Sequence, residues 1–427
     1  MQRLLSFASR QGLSSSARTV VIGDRIKLSN YFLRDNCPCV NCLHQTGQRL
    51  KTPNETYKLI SNSVDVRNVE ILQTTATAQA MSSPSCHLQG RPFKEPHARI
   101  TWNDGHVSEF SLSWLEDHQP QQDHRDHVRY RQRQLSQHFW NNSPTVDKMP
   151  QMEYAHVVGS EAGIHQWLRN LSIYGICKLN NAPREAGLLQ RFAGRIGLGG
   201  GIYRSIYGDV WELLAKGEQA DNVAYSNVFL ELHMDLCYYE SPPFVQLLHC
   251  LQFDEGVAGG LSHFADGFGM AETFRRMHPR HFHTLATVPA TFHKADEKHA
   301  IAFERCHFDV SDGGGGGGGG GGDKELTAMY WSPPFEGPLS AAYADRIEDY
   351  YLAYSLFSDL VRDSKSYLSF RAAPGDILTF CNRRILHGRT AFAFTSKADN
   401  RHFQGMYISR EDFLSRFTVL ERKYGAA

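Results

Sequence analysis

Three residues near the middle of the chain, His233-Met234-Asp235, carry the clearest chemical signal. On an extended strand, side chains two apart point to the same face, so this histidine and this carboxylate can share one metal ion. Two imidazoles and one carboxylate on one face of an octahedral iron leave three positions open, the facial triad of non-haem Fe(II) oxygenases. The second histidine must come from elsewhere. With 21 histidines in 427 residues, a His-x-Asp also arises by chance, so the tripeptide alone is a weak signal.

A second cluster is Cys37-Pro38-Cys39-Val40-Asn41-Cys42. Three thiolates this close on a turn can fill three corners of a zinc tetrahedron, and one histidine closes it. His106, just after the turn Asn103-Asp104-Gly105, is the candidate fourth ligand, and His44 is the local competitor. Buried small hydrophobes or a redox group are the other readings of clustered cysteines, but the C-x-C-x-x-C spacing favours a metal. A closed site of this kind is structural. Nine cysteines is an odd and modest number, which suits a metal site in a reducing compartment better than a disulfide framework.

Aromatic residues form a third group: Tyr207 and Trp211, four apart, then Tyr225. Taken alone, such spacing reads as core packing.

The elements that must position these groups follow the chain. From Thr19 to about Asp117 the pattern is short and strand-like, with an Asp-Gly hairpin turn after Arg99-Ile100-Thr101-Trp102. His118 to Gln134 is charged and His/Arg-rich and reads as a solvated connector, with Asp123 and Asp126 arguing against a nucleic-acid patch. Ser160 to Leu171 has helical spacing and precedes a strand-like Gly175 to Leu179. Arg184 to Ile196 reads as an amphipathic helix ended by the Gly197 to Gly201 cluster, Met270 to Met277 as the start of another, and Ala341 to Val361 as a third. Gly259-Gly260 bends the chain, and Leu368, Phe370 and Ile377 to Phe380 read as strands about the Pro374-Gly375-Asp376 turn. Ten glycines, 313–322, make a flexible loop with no chemistry.

Composition bounds the function. Equal numbers of basic and acidic residues, 45 each, give no broad steering toward nucleic acid or anionic membrane, so a small-molecule substrate is expected. No apolar run approaches the roughly 20 residues that span a bilayer, and a soluble protein is expected. The leader, residues 1–18, carries Arg3, Arg10 and Arg18, several serines and no acid, the pattern of a mitochondrial transit peptide; an ordinary ragged terminus in a cytoplasmic protein is the alternative. The expected organisation is a leader at 1–18, a zinc-binding domain at 19–117, a linker at 118–150 and a catalytic domain at 151–427.

Taken together, Arg34-Asp35-Asn36-Cys37-x-Cys39-x-x-Cys42, Val223-Ala224-Tyr225, His233-x-Asp235, Val245-Gln246-Leu247-Leu248-His249-Cys250, Gly259-Gly260, Asp266-Gly267-Phe268, Pro374-Gly375-Asp376 and Leu386-His387-Gly388-Arg389 resemble the gamma-butyrobetaine and trimethyllysine dioxygenase family. The likeness covers nearly the whole chain after the leader, with the motifs in the family's order. The resemblance implies a mainly β fold with flanking helices: a double-stranded β-helix of jelly-roll type plus a small β-rich zinc-binding domain. It implies Fe(II), 2-oxoglutarate and O2, with ascorbate as reductant, and a homodimer. Carried over, His233, Asp235 and His387 match the iron ligands, and Arg401 the arginine that grips the distal carboxylate of 2-oxoglutarate. Leu248 and Ser262 match the lining of that pocket. Cys37, Cys39, Cys42 and His106 match the zinc ligands. Tyr207, Trp211, Tyr225 and Tyr407 match an aromatic cage around a trimethylammonium group, whose cation is attracted by ring faces; Asn222 matches a polar residue near the substrate carboxylate.

Asp221 to Tyr225 and Val245 to Leu248 lie closer to the gamma-butyrobetaine enzymes, whereas the leader points toward the trimethyllysine enzymes. The expected reaction is gamma-butyrobetaine to L-carnitine, with trimethyllysine hydroxylation as the alternative. A non-catalytic, zinc-stabilised betaine-binding protein is the rival from another class; such a protein has no physical need for an intact triad together with Arg401.

Overall fold

In the computed structural model, the described residues are 19–23, 25–44, 48–50, 55, 58, 63–73, 96–118, 138–140, 144–185, 187–196, 201–214, 227–311, 325–396 and 398–425. The leader, most of the charged stretch 118–134 and the glycine run lie outside them. The chain divides into two compact units, Met1–Arg131 and Gln132–Ala427.

In the first unit, the hairpin Thr19–Ile22/Ile26–Ser29 leads into a short helix, Asn30–Asp35. A three-stranded sheet is ordered Val66–Leu72, His97–Trp102, Val107–Ser111. The Asp-Gly turn joins the last two strands as expected, with Gly105 at φ +82°, a conformation that favours glycine. Alternation along His97–Trp102 buries Ala98, Ile100 and Trp102 against Leu33 and Leu115.

The second unit is built on two facing sheets. The larger is ordered Gln151–Glu153, Ile176–Asn180, Ile377–Cys381, Val245–Phe253, Arg401–Ile408, Val210–Leu214, antiparallel apart from its first pair. The smaller is ordered Leu368–Phe370, Ser262–Asp266, Ile385–Arg389, Leu230–His233 and is antiparallel throughout. Phe264 and Ile385 of the small sheet pack on Leu378, Phe380 and Phe403 of the large one, giving the expected double-sheet barrel. The large sheet's other face is covered by helices Glu161–Tyr174 and Arg410–Tyr424, through Ile164, Trp167, Leu168 and Phe417.

Local chemistry sets the element ends. The Ser160 hydroxyl accepts from Gly163 N at 3.0 Å and caps the first of these helices, and Gly175 at φ +76° ends it. The expected helix 184–196 is shorter, Leu188–Ala193, because Gly187 takes a left-handed conformation at φ +75°. The expected helix 341–361 is two pieces, a 3-10 segment Ala341–Arg346, itself kinked at Tyr343, and a helix Ile347–Arg362 that starts after Arg346 leaves helical angles at φ −117°. Residues 138–140, inside the expected linker, belong to the barrel unit: Trp140 N donates to Asp266 Oδ2 at 3.1 Å.

Candidate functional site

Strand Leu230–His233 is an edge of the small sheet, and its pairing with Ile385–Arg389 sets His233 opposite His387, with ring centroids 4.4 Å apart. The expectation that His233 and Asp235 share one strand needs correction. The strand ends at His233; Met234 N donates to Trp331 O at 2.7 Å, and Leu236 lies at φ +60°. Asp235 is held instead by the buried Asn382, whose Oδ1 accepts from Asp235 N at 2.8 Å and whose Nδ2 donates to Asp235 O at 3.0 Å. The carboxylate still reaches the imidazoles: Oδ1 lies 3.2 Å from His233 Nε2 and Oδ2 3.6 Å from His387 Nε2.

The three ligand atoms, all within 4.8 Å of one another, suit a metal ion. The chemistry of the donors fits too. His233 Nδ1 lies 2.7 Å from Glu231 O, which can only accept, so the ring proton sits on Nδ1 and the Nε2 lone pair faces the other ligands. One donor was not anticipated in this role: the Tyr407 hydroxyl donates to Asp235 Oδ2 at 2.6 Å.

A cavity of about 300 Å³ joins this cluster to two other walls. One wall holds Arg401, Leu248 and Ser262 together with Arg389, which sequence reasoning left without a role. The Arg401 guanidinium lies 4.3 Å over the Phe403 ring and near Phe253 and Phe392. Burial, with Arg389 nearby, lowers its pKa to about 9, and among the described residues its Nε has no hydrogen-bond partner. A dehydrated planar cation in an aromatic collar is a receptor for a carboxylate supplied by a ligand.

The other wall is aromatic. Trp211 and Tyr407 have centroids 4.2 Å apart, and Tyr207 lies 6.5 Å from Trp211. Gly405, opposite Trp211 in the sheet, makes room for the indole: a Cβ there would stand 2.2 Å from Trp211 Cε2. Tyr238 extends the wall through its hydroxyl, 3.3 Å from that of Tyr207, and Phe335 packs on Tyr238 at 5.1 Å. Neither was anticipated; Tyr238 lies three residues after Asp235, where the bend at Leu236 turns it into the cavity. Asn222 and Tyr225 lie outside the described residues.

In the first unit, Cys37, Cys39, Cys42 and His106 converge. His106 Nε2 lies 3.1, 3.5 and 3.8 Å from the three sulfurs in turn, so the hairpin histidine, and not His44, completes the group. The sulfurs of Cys39 and Cys42 push the His106 pKa up to about 9, so the pocket favours positive charge. Arg34 donates to Cys42 Sγ at 3.8 Å and pairs with Asp104 at 3.0 Å, tying the cysteine turn to the hairpin.

Comparison with known proteins agrees with this geometry. The family profile described as taurine catabolism dioxygenase TauD, TfdA family matches residues 144–407. Gamma-butyrobetaine dioxygenase from Pseudomonas sp. (strain AK-1) is 30% identical over 92% of this chain and 90% of its own. The protein of that name from Pongo abelii is 27% identical with the same coverage. Trimethyllysine dioxygenase, mitochondrial, from Rattus norvegicus is 25% identical over 91% of this chain and 82% of its own. The chain therefore belongs to the TauD/TfdA dioxygenase family and is a 2-oxoglutarate-dependent dioxygenase.

Proposed function

We propose that this chain hydroxylates a small trimethylammonium carboxylate, with gamma-butyrobetaine to L-carnitine as the reaction. The observation that carries this reading is one cavity lined by a His-Asp-His cluster, a dehydrated arginine and an aromatic wall. His233, Asp235 and His387 would hold the iron. With 2-oxoglutarate and O2, that iron supplies an oxidation that turns 2-oxoglutarate into succinate and CO2 and places one oxygen atom in a substrate C–H bond. Arg401 fixes the distal carboxylate of 2-oxoglutarate by its planar fork, with Leu248 and Ser262 beside it. Tyr207, Trp211 and Tyr407 present ring faces to a cation that has no hydrogen-bond donors, which orients the substrate and excludes water. Asn222 and Tyr225 are assigned to the same substrate on the strength of the resemblance.

Trimethyllysine is the second reading, favoured by the leader and by relatives named for that substrate. We assign structural zinc to Cys37, Cys39, Cys42 and His106, ascorbate as reductant, a homodimeric state and a mitochondrial location. Among the described residues no helix is long and apolar enough to cross a membrane.

The site assignment is tested by succinate release from the Fe(II)-loaded protein. His387→Ala abolishes turnover, and Arg401→Ala raises the KM for 2-oxoglutarate by about a hundredfold, the cost of one charge-assisted bidentate contact. Full activity in the His387 variant would overturn it.

A further inference from the structure

The cavity has one charged group that neither the metal cluster nor the 2-oxoglutarate wall uses. Lys294 lies on the hairpin Ala290–Ala295/Ala300–Arg305, outside both barrel sheets, yet lines the cavity. Its position follows from backbone pairing. Phe292 bridges Glu336, and Gly337 N donates to Thr291 O at 2.7 Å, so the hairpin strand is pinned just after the 3-10 turn Pro333–Phe335, whose Pro334 and Phe335 line the same cavity as Lys294. Phe335 follows, packs on Tyr238, and Tyr238 touches Tyr207. The lysine therefore stands at the far end of the aromatic wall that begins at Tyr407 and Trp211.

The side chain is only 14% exposed, and its Nζ lies 3.0 Å from Asp296 Oδ2. Asp296 also has partners other than the lysine. Its Oδ1 accepts from Lys298 N and His299 N, each at 2.8 Å, and lies 3.0 Å from His299 Nδ1. Its carboxylate is open to water, where an ion pair contributes little. An ammonium on a flexible four-carbon stem can exchange that partner for an anion inside the cavity at small cost. Arg389 and Arg401 sit on the other wall, so Lys294 is the remaining cation lining the cavity among the described residues.

We propose that Lys294 receives the carboxylate of the trimethylammonium substrate and makes the enzyme select a zwitterion over the same cation with an uncharged tail. This rests on the substrate reading above. The aromatic wall binds the cationic end and contributes equally to both compounds; the lysine separates them.

The test uses the full Fe(II)-loaded chain and compares gamma-butyrobetaine with its primary amide, following succinate and hydroxylated product. The native protein prefers the acid. Lys294→Met raises the KM for the acid at least about tenfold, with kcat within about threefold, and leaves the KM for the amide and for 2-oxoglutarate unchanged, so the preference collapses. Lys294→Arg retains most of the preference and keeps the test readable should the Met variant fold poorly. Asp296→Asn separates binding from a structural role, because it removes the surface pair but leaves the lysine; its KM for the acid does not rise. A native acid-over-amide preference in Lys294→Met, or an Asp296→Asn defect equal to that of Lys294→Met, would overturn the proposal. Turnover of neither compound by the native protein would remove the substrate reading and this inference with it. Turnover with an unaltered preference in the variant would remove the inference alone.

Discussion

Tyr407 shows how a residue can serve two ends of one site. Its ring lies against Trp211 in the proposed cage, while its hydroxyl donates to Asp235 Oδ2 at 2.6 Å. The two contributions can be separated. Tyr407→Phe keeps the ring and deletes the donor, so Fe(II) affinity should fall about tenfold, corresponding to about 1.5 kcal/mol for a bond to a charged acceptor. Trp211→Leu should weaken substrate binding and leave iron affinity unaltered. Equal iron affinity in native and Tyr407→Phe proteins, measured by metal titration, would refute the link. At this scale the sequence was most informative where a residue type has few uses: His233, Asp235 and the cysteine cluster could be read from spacing. His387 and Arg401 needed the family resemblance, since nothing local says that a histidine 154 positions away pairs with His233. Asn382, Tyr238 and Lys294 were not legible, because their roles come from chain reversals that bring distant segments together.

The elements place these residues through close backbone approach. Gly388 follows His387 on the strand paired with Leu230–His233, and a Cβ there would stand 2.6 Å from Leu230 O and 3.1 Å from Glu231 C. Neither neighbour is a side chain that can swing away. Gly388→Ala should therefore push the two strands apart at the histidine pair, lowering stability by roughly 2 kcal/mol or more and weakening iron binding with it. A thermal melt and an iron titration check both effects; a variant with native values for both would show that the strands tolerate the methyl group. Strand alternation and caps made most of these elements legible, as at Ser160 and the Asp104-Gly105 turn. Misreadings came where a backbone conformation overrode periodicity: Gly187 delays the helix that ends at Ala193, and Leu236 turns the chain so that Asp235 leaves the strand.

For the whole molecule, the two compact units imply separable contributions. The proposed zinc closes a group whose ligands come from residues 37–42 and from His106, so it crosslinks two ends of the first unit. Cys39→Ser should lower zinc content from one ion per chain to none and the melting temperature by roughly 5–10 °C, with Fe(II) affinity preserved. Native zinc content and stability in that variant would exclude a structural metal. The double-sheet barrel and its chemistry were legible as a family pattern, whereas the identity of the substrate depends on which charged groups line one cavity, and composition with zero net charge carries no trace of that. The most direct measurement is 2-oxoglutarate turnover to succinate by the purified Fe(II)-loaded chain, with gamma-butyrobetaine and trimethyllysine offered separately and each product identified by mass. The proposed function requires turnover tightly coupled to gamma-butyrobetaine, with one oxygen atom gained, and little with trimethyllysine. Coupled turnover with trimethyllysine alone, or with neither compound, would contradict it.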